Sequence, residues 1–500
     1  MSVNSAAIRS LGELKQSPGF DWDRLRRRTV KDELRENLLT GLKQRKTLFP
    51  GIVGYDDTVI PQVVNALLSR HHFILLGLRG QAKSRILREL VRWLDPYLPA
   101  VAGCSIHDNP AAPLCSRCRQ LLAEAGDDTP IEMRTPEQRY VEKLATPDVT
   151  IADLIGDVDP IRAARSGLAL DNELTIHYGL VPRAHRGIFA LNELPDLAGK
   201  IQVGLFNILQ EGDVQIKGYP IRLPLDLLMA FSANPEDYTA RGKIITPLKD
   251  RIGSEVRTHY PATLDEGIAI TEQEADLDRP GSKVQTPRFV REVVEGIAFA
   301  ARQDKRVDKR SGVSQRLPIT CLENAVSNAE RRSIAAGERD IVVRIGDIYR
   351  ALPALTGKLE LEYEGEMRGA DLVAQELVRT AIGQSFDHYF ADVDLQKVVQ
   401  WFELGGTLQI DEEASADRNW ITLNQIQGLA GQLSPLKLPS NPSSGWKVAA
   451  AEFLLEGLCA HRRISRSEEL GYHQEEKRPA SGESQTWREA QRNRPRRPLN

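Results

Sequence analysis

The sequence predicts an α/β protein with a parallel-sheet core, and with mainly helical regions before and after it. Residues 72–76 form a short apolar run that leads into a glycine-bearing loop and then a helix-like segment. This succession of strand, loop and helix is the unit from which parallel sheets are built. Two further apolar runs, 187–191 and 225–231, have the length of buried strands, and the pattern becomes helical near residue 285.

Composition excludes several classes of protein. The 500 residues are 41% hydrophobic and 27% charged, which is ordinary for globular chains and indicates about three domains at this length. The net charge of −3 gives no bulk attraction for nucleic acid, so we do not expect a nucleic-acid partner. No apolar run approaches the ~20 residues that span a bilayer, and the N-terminus lacks an apolar signal core. We therefore expect a soluble cytoplasmic protein without a membrane partner.

The strongest motif follows the first predicted strand and has the composition of a phosphate-binding loop. Its residues are Gly77, Leu78, Arg79, Gly80, Gln81, Ala82, Lys83 and Ser84. Small residues let backbone N–H groups converge on phosphate oxygens, Lys83 would reach the β- and γ-phosphates of ATP, and the Ser84 hydroxyl would bind Mg²⁺. Ala82 stands where the pattern G-x-x-x-x-G-K-[ST] has glycine, and alanine resists a positive φ. The alternative is a strand-to-helix turn that happens to carry Lys-Ser.

A polar stretch after the loop and its helix interrupts the α/β pattern and contains three of the five cysteines. Cys104-x-x-His107 followed by Cys115-x-x-Cys118 offers four nitrogen and sulfur ligands, the number that tetrahedral Zn²⁺ requires. A segment this polar cannot build its own apolar core, so we predict an insertion held together by zinc. Asp108 could replace His107 as a ligand. The alternative is a reduced cysteine-rich loop without metal.

The order of the motifs carries a resemblance to a known family. The segments FPGIVGYDD, GLRGQAKS and GLVPRAHRGIFALNELPDL resemble the core of the AAA+ ATPases of the MoxR and magnesium-chelatase I-subunit clade. The resemblance covers residues 46–355 and implies a P-loop AAA+ parallel-sheet core with a helical lid. It also implies ATP and Mg²⁺ as cofactors, a hexameric ring, and a client or a von Willebrand A-domain protein as the partner.

Three polar residues that follow apolar strands match catalytic positions of that family. GIFALNEL resembles the second nucleotide motif, a strand that ends in Asp-Glu. Here Asn192 replaces the Asp near Mg²⁺, and Glu193 keeps the base that activates water. Asn192 can hydrogen-bond a Mg²⁺-bound water but brings no negative charge. LDLLMAFSANPED resembles the first sensor strand, which implies that Asn234 lies beside the γ-phosphate. The alternatives are a solvated carboxylate for Glu193 and Asn-Pro turn chemistry for Asn234.

Two arginines and a glycine-containing turn complete the implied site. ITPLKDRIG resembles the LLDRF segment of the family, so Arg251 would reach the γ-phosphate of a neighbouring subunit as an arginine finger. GVSQRL resembles the lid motif G-x-S-x-R and implies a nucleotide contact for Arg316. Ile52, Val53 and Gly54 correspond to the turn that packs near the adenine. An ordinary surface position is the alternative for either arginine.

A β-hairpin is predicted between the catalytic strand and the sensor strand. Val214, Ile216, Ile221 and Leu223 alternate with polar residues on either side of a Gly-Tyr-Pro turn. In the resembling family an equivalent hairpin projects from the core towards the ring pore or the partner. In a monomeric protein it would be a plain surface hairpin.

These motifs divide the chain into regions. The predicted regions are an N-terminal helical extension (1–45), an AAA+ nucleotide-binding core (46–265) with a cysteine-rich insertion (103–130), a helical lid (285–370), a mainly helical C-terminal region (371–473) and a disordered basic tail (474–500). The N-terminal extension includes an amphipathic helix near residues 29–46, in which Val30, Leu34, Leu38 and Leu42 share one face. The basic tail is almost devoid of aliphatic residues.

The function expected from the resemblance is ATP-driven remodelling or activation of a partner protein. One alternative is the ATPase I subunit of a magnesium chelatase, although the cysteine insertion, Asn192 and the long C-terminal extension are not expected there. A second is a nucleotide-gated binding module with weak hydrolysis, which Ala82 and Asn192 together suggest. A third, an enhancer-binding transcription activator, lacks support because the chain has no helix-turn-helix and no GAFTGA-like loop.

Overall fold

The computed structural model describes residues 8–169, 172–215, 222–235, 243–279, 283–467 and 469–475. The chain divides into two compact units. The first comprises Met1–Ala269 with Lys309–Gln315, and the second comprises Ile270–Asp308 with Arg316–Asn500. The tip of the predicted hairpin (216–221) and nearly all of the predicted basic tail (476–500) lie outside the described residues.

The described strands are short, and five of them form the central sheet of the first unit. In chain order the strands are β1 (Phe73–Leu76), β2 (Leu98–Val101), β3 (Ile131–Arg134), β4 (Tyr140–Leu144), β5 (Gly156–Val158), β6 (Ile176–Tyr178), β7 (Gly187–Asn192), β8 (Asp213–Gln215), β9 (Arg222–Pro224), β10 (Leu227–Ala233), β11 (Ser254–Arg257), β12 (Val284–Gln285), β13 (Ile341–Val342), β14 (Ile464–Ser467) and β15 (Gly471–Gln474).

The central sheet has the order β11-β1-β10-β7-β4, and its described pairs are all parallel. Numbered along the chain within this sheet, the order is 5-1-4-3-2, with the strand before the phosphate loop next to one edge. This sheet with its helices is the P-loop α/β fold of the AAA+ type, and the predicted fold class is confirmed. The three central strands β1, β7 and β10 are buried along their whole length, as the apolar runs in the sequence predict.

Alternate residues of the central strands enter two different apolar clusters, one for each face of the sheet. In β1, Ile74 and Leu76 belong to one cluster, whereas Phe73 and Leu75 belong to the other. This division follows from the two-residue repeat of side-chain direction in a strand. The side chains of each central strand thus enter two apolar cores, one on each face of the sheet. The carboxyl ends of the parallel strands all lie on the same side of the sheet.

Helices surround this sheet within the first unit. They are Leu11–Gln16, Trp22–Arg27, Val30–Lys43, Val59–Leu68, Lys83–Glu89, Ser116–Ala125, Ile151–Leu154, Pro160–Ser166, Leu180–Arg183, Gly199–Gly204, Phe206–Gln210 and Thr246–Arg251. The helix Leu264–Glu274 contains the boundary between the two units.

The N-terminal helix Val30–Lys43 contributes to the core of the first unit as its sequence pattern predicts. Val30, Leu34 and Leu38 are buried in the cluster on one face of the sheet. Leu42, predicted on the same face, is instead 40% exposed, because it lies in the last turn of the helix. Thr29 caps the helix through its side chain and forms a capping box with the third residue of the helix, which satisfies its first free N–H groups.

The cysteine-rich insertion lies between β2 and β3 and is packed more tightly than its polar sequence suggests. Cys104, Ile106, Cys115 and Cys118 are all buried in the apolar cluster on one face of the central sheet. The insertion therefore shares the core of the unit, and does not stand apart as a small independent module.

The second unit is mainly helical. Its helices, besides the end of Leu264–Glu274, are Arg288–Gln303, Arg316–Ala336, Ile345–Arg350, Leu352–Thr356, Tyr363–Arg368, Ala370–Phe390, Gln396–Glu403, Ala416–Leu423 and Ser444–Ala460. The predicted change from α/β to helical structure is thus confirmed, and the region predicted to be mainly helical (371–473) contains the helices Ala370–Phe390, Gln396–Glu403, Ala416–Leu423 and Ser444–Ala460. Among the described residues, no helix combines the length and the apolar character needed to cross a bilayer.

Candidate nucleotide-binding site

The phosphate loop runs from the end of β1 to the helix Lys83–Glu89, and two of its glycines are required by close packing. A Cβ at Gly77 would collide with the side-chain oxygens of Thr258 and Gln81. Gly80 has a φ of +74°, and a Cβ there would collide with the Ser314 hydroxyl. The loop is therefore held against neighbouring segments, so its backbone N–H groups have a fixed direction.

Ala82 adopts the backbone conformation that the glycine of the motif would have. Its φ is +53° and its ψ is +14°, which is the left-handed region, and it directly precedes the helix Lys83–Glu89. A non-glycine residue in this region costs about 1–2 kcal/mol. Ala82 therefore adopts the positive φ that alanine resists, and the loop keeps this conformation at an energetic cost.

Lys83 extends along the inner side of the loop and is only 7% exposed. Its ammonium donates hydrogen bonds to the carbonyl oxygens of Gly77 and Leu78, the latter at 3.0 Å. A buried ammonium in this position supplies positive charge inside the curve of the loop, which is where the motif chemistry places β- and γ-phosphate oxygens.

Ser84, Asn192 and Ser232 form a hydrogen-bonded group beside the loop. The Asn192 side-chain oxygen accepts from the Ser84 hydroxyl at 3.2 Å and from the Ser232 hydroxyl at 2.8 Å. Asn192 ends β7 and is buried. Three side-chain oxygens, including that of the loop serine, therefore lie together, and oxygen ligands are those that Mg²⁺ prefers.

Glu142 lies behind this group and was not identified from the sequence. The Asn192 side-chain amide donates to the Glu142 carboxylate at 2.6 Å. Glu142 belongs to β4, which pairs with β7 in parallel register, and it also accepts from Arg88 at 2.8 and 3.1 Å. This hydrogen bond raises the pKa of the Arg88 guanidinium. Asn192 itself is neutral, but a half-buried carboxylate is bonded directly to it.

Glu193 and Asn234 lie at the carboxyl ends of adjacent strands. Glu193 follows β7 with a left-handed φ of +54°, and its N–H donates to the Ser232 hydroxyl at 3.4 Å. Asn234 follows β10 and is buried. The Gly77 N–H donates to the Ala233 carbonyl at 3.1 Å, so the end of β10 is joined directly to the phosphate loop. The parallel sheet thus brings these separate sequence motifs to one edge.

The turn Ile52–Gly54 reaches the loop region through the next residue, Tyr55. The Tyr55 hydroxyl donates to the carbonyl of Gln81 at 3.2 Å and to that of His259 at 2.6 Å. Burial raises the pKa of Tyr55 to about 12, so the hydroxyl keeps its proton. Ile52 is buried, whereas Val53 and Gly54 are partly exposed. The structure therefore places the predicted adenine turn next to the phosphate loop.

An open cavity adjoins the phosphate loop within the first unit. It is lined by Leu76, Gly77, Leu78, Gln81, Pro235, Lys249, Glu255, Arg257, Thr258, His259 and Tyr260. Its walls therefore come from the end of β1 and the loop, from β11 and the segment after it, from the helix Thr246–Arg251, and from the segment after β10.

The two candidate arginines lie on different units. Arg251 ends the helix Thr246–Arg251, donates to Gln210 at 3.0 Å and to the Pro247 carbonyl at 2.7 Å, and stacks over the Phe206 ring at 4.8 Å. Arg316 begins the helix Arg316–Ala336 of the second unit. Their roles at a nucleotide remain predictions.

The predicted hairpin and cysteine cluster are both present, with one difference in the cluster. Antiparallel β8 and β9 form the hairpin, and Val214 faces Leu223. The group that could hold a metal ion among the described residues is Cys104, Asp108, Cys115 and Cys118. His107 is directed elsewhere: its Nδ1 atom lies 2.9 Å from the Arg134 guanidinium and 3.6 Å from the Glu132 carboxylate.

Comparison with known proteins yields one curated relative and several structures of similar fold. No family model matches the chain. The archaeal Lon protease of Thermococcus kodakarensis is 28% identical over 181 residues, which is 33% of this chain and 27% of that protein. The chain thus spans only about a quarter of this relative's length.

Two solved structures illustrate the structural similarity. The complex between subunits BchI and BchD of magnesium chelatase gives a TM-score of 0.34 at 21% identity, covering 64% of this chain and 98% of that chain. NtrX from Brucella abortus in complex with ADP gives a TM-score of 0.35 at 14% identity, covering 71% of this chain and 63% of that chain. Such low scores carry no conclusion about activity. The order of the strands and the phosphate loop that follows β1 establish a P-loop fold of the AAA+ type.

Proposed function

We propose that this chain binds ATP with Mg²⁺ at residues 77–84 and hydrolyses it to remodel or activate a partner protein. The observation that carries the proposal is the convergence of Lys83, Ser84, Asn192, Glu193 and Asn234 at one edge of the sheet. These residues come from three separate segments, and all of them except Asn192, which stands in place of an aspartate, have the chemistry that their positions require.

The side chains divide the work of phosphoryl transfer to water. Lys83 neutralises charge on the β- and γ-phosphates, and the Ser84 hydroxyl would hold Mg²⁺, which supplies further positive charge there when bound. Glu193 takes a proton from the attacking water as a general base. Asn234 orients that water by hydrogen bonding. Binding would be strongest for a nucleotide whose phosphate chain fills the curve of the loop.

Glu142 compensates for the negative charge that Asn192 lacks. An aspartate at position 192 would bring a negative charge towards the metal, and the asparagine brings only an oxygen. The hydrogen bond to Glu142 fixes the amide so that its oxygen faces Ser84. The Glu142 carboxylate itself adds negative charge, but it is separated from Ser84 by the side chain of Asn192. Glu142 is thus a positioning residue in this proposal.

The assembly is proposed from the family resemblance. A hexameric ring would let Arg251 reach the γ-phosphate bound by the next subunit, and Arg316 would contact nucleotide from the lid. The hairpin of β8 and β9 would act on a client or on a von Willebrand A-domain protein. The position of Arg251 at the end of a short helix, with a guanidinium held by Gln210 and Phe206, supports this role because the arginine is oriented before any neighbour arrives.

A nucleotide-gated binding module with weak hydrolysis is the second candidate. The neutral side chain of Asn192 favours it, because a weaker charge near Mg²⁺ slows phosphoryl transfer more than it weakens nucleotide binding. The two candidate functions differ only in the rate of ATP hydrolysis, so the activity of the wild-type chain separates them.

The test compares nucleotide binding with steady-state hydrolysis in the full chain. Glu193→Gln should bind ATP as the wild type does and should lose hydrolysis by about 100-fold or more, since it keeps the shape and removes the base. Lys83→Ala should lose binding, and Lys43→Ala, an exposed lysine on the N-terminal helix, should lose neither. Unchanged ATP affinity in Lys83→Ala would refute the site. A wild type that binds ATP without measurable turnover would select the binding module.

The same Glu193→Gln variant can identify the partner. An ATP-bound chain that does not hydrolyse should stay on its client, so affinity capture with ATP should recover a protein that capture with Lys83→Ala does not. Recovery of the same proteins by both variants would contradict nucleotide-dependent engagement.

A further inference from the structure

The cysteine cluster brings four buried ligand atoms within reach of one ion. Cys104, Asp108, Cys115 and Cys118 each offer one such atom, and all four atoms lie within 4.8 Å of one another. The four residues are 0–5% exposed. Buried charge without a partner is costly, and a divalent ion bound by all four side chains would offset half of the negative charge of three thiolates and a carboxylate.

The spacing of the thiols fits a tetrahedral ion better than it fits a disulfide. The sulfur atoms of Cys104 and Cys115 are 3.8 Å apart. Zinc–sulfur bonds of about 2.3 Å at the tetrahedral angle place two sulfurs about 3.8 Å apart, whereas a disulfide requires about 2.05 Å. A third buried thiol in the same group, Cys118, would have no disulfide partner within it.

The local backbone is arranged to hold thiolates. Cys115 caps the helix Ser116–Ala125, and its sulfur accepts the N–H of Cys118 at 3.3 Å. Free N–H groups and the dipole at a helix start favour negative charge there. The helix start is also clamped from outside, because the Ser116 N–H donates to the Glu173 carboxylate at 2.9 Å.

Asp108 lies at the start of the loop between Cys104 and the pair formed by Cys115 and Cys118. Its carboxylate accepts from the backbone N–H groups of Asn109, Leu114 and Cys115 at 2.7–2.9 Å. These bonds fix the direction of the carboxylate. The Leu114 N–H is shared between its two oxygens, so a metal ion would share an oxygen with a backbone donor. The side chain that the C-x-x-H spacing suggests, His107, contacts Arg134 instead, and its backbone has a left-handed φ of +54°.

We propose that Cys104, Asp108, Cys115 and Cys118 form a structural Zn²⁺ site in which the aspartate replaces the histidine. The ion would hold the insertion against the core cluster of the first unit. The insertion also supports the N-terminal segment: the Asn109 side chain donates to the Leu25 carbonyl at 2.8 Å, and the Leu11 N–H donates to the Thr129 carbonyl at 2.9 Å. Metal binding would therefore stabilise the N-terminal helices as well.

The test uses the full chain, purified without oxygen or chelator from zinc-supplemented cells. We expect about one zinc per chain, and apo-protein refilled with Co²⁺ should show the intense thiolate-to-cobalt absorption and the visible bands of a tetrahedral site. Cys115→Ser with Cys118→Ser should abolish the zinc. Cys321→Ser, which removes a buried thiol outside the cluster, should retain it. Neither readout depends on ATPase activity.

Two single variants decide the fourth ligand. Asp108→Asn should weaken Co²⁺ affinity at least tenfold in competition with a chelator, while His107→Ala should leave it within about twofold of the wild type. Loss of affinity in His107→Ala, or its retention in Asp108→Asn, overturns the assignment of Asp108. A wild type that carries no zinc and gives no tetrahedral cobalt spectrum overturns the site. If Asp108→Asn does not fold, the His107→Ala result alone still decides against or for the histidine.

Discussion

Exchanging the amide of Asn192 with the carboxylate of Glu142 tests whether Glu142, on β4, replaces the aspartate that the motif has at position 192. Three variants are needed: Glu142→Gln, Asn192→Asp, and the double variant that carries both changes. Glu142→Gln removes the negative charge but keeps an amide oxygen that can accept from Asn192. The double variant exchanges amide and carboxylate, so the hydrogen bond of 2.6 Å can re-form with the charge on the side nearer Ser84.

The size of the effect follows from the distances. The path from Glu142 to Ser84 contains hydrogen bonds of 2.6 and 3.2 Å with the Asn192 amide between them, so the carboxylate lies about 8 Å from a cation on Ser84. A charge of −1 at that distance from a divalent ion contributes about 1 kcal/mol at a dielectric constant of about 80 and about 4 kcal/mol at about 20. The Glu142 side chain is only 22% exposed, so the lower value, about a fivefold change in Mg²⁺ affinity, is the smallest effect that we expect.

The assay is ATP hydrolysis as a function of Mg²⁺ concentration at saturating ATP. Glu142→Gln should need at least about fivefold more Mg²⁺ for half-maximal rate, and the double variant should need no more than the wild type. Asn192→Asp alone places two carboxylates in contact and loses a hydrogen bond to a charged group, so its free energy of unfolding should fall by about 1.5–3 kcal/mol. The double variant should recover that loss.

Glu89→Gln is the matched control for this experiment. It makes the same chemical change on the helix that carries Arg88, at a side chain paired with Arg92, and it should not change the Mg²⁺ requirement. An unchanged requirement in Glu142→Gln would refute the role of Glu142 in metal binding. Failure of the double variant to recover stability would show that the two positions do not act as a pair.

Three further predictions concern the ring, the loop and the second unit. Mixing Lys83→Ala chains with Arg251→Ala chains should restore ATPase activity above either alone, because some interfaces then pair an intact loop with an intact finger; no rescue in proven mixed oligomers would exclude the trans role. Ala82→Gly should raise the free energy of unfolding by up to about 1 kcal/mol, since glycine relieves the positive φ; a lower melting temperature would contradict this. Burial raises the pKa of Glu452 to about 7, so its contribution to stability is complete below about pH 4.5 and is lost as the pH rises through about 7. The free energy of unfolding of Glu452→Gln should therefore rise relative to that of the wild type between pH 5 and pH 8, by up to about 3 kcal/mol. A difference in melting temperature that stays constant over this pH range would refute the shift.

Sequence patterns predicted the elements of the fold well because those elements are determined locally. The apolar runs of β1, β7 and β10 were long enough to indicate buried strands, and the helices Arg288–Gln303 and Arg316–Ala336 follow their apolar repeats. Within the predicted N-terminal helical extension, the sequence did not indicate the separate helices Leu11–Gln16 and Trp22–Arg27, because six residues contain too little periodicity.

The contacts that complete the site could not be predicted from local patterns. Glu142 meets Asn192 only because β4 lies beside β7, and 50 residues separate them in the chain. The strand Tyr140–Leu144 is half-buried with polar residues at its centre, so it lacks the apolar run that identified its neighbours. His107 and Asp108 are adjacent, and spacing alone favours the histidine. In the structure His107 contacts Arg134, whereas Asp108 groups with the thiols, and sequence periodicity does not distinguish the two neighbours.

The two departures from the nucleotide motifs have different physical consequences. Ala82 keeps the shape of the loop and raises its energy, because the residue holds a positive φ of +53° that glycine would adopt freely. Asn192 keeps the position of an oxygen beside Ser84 but moves the negative charge to Glu142. Neither change alters the atoms that face the phosphates, so ATP affinity should be close to that of the unaltered motif. The dependence on Mg²⁺ should differ instead, because the charge that attracts the metal lies on another strand.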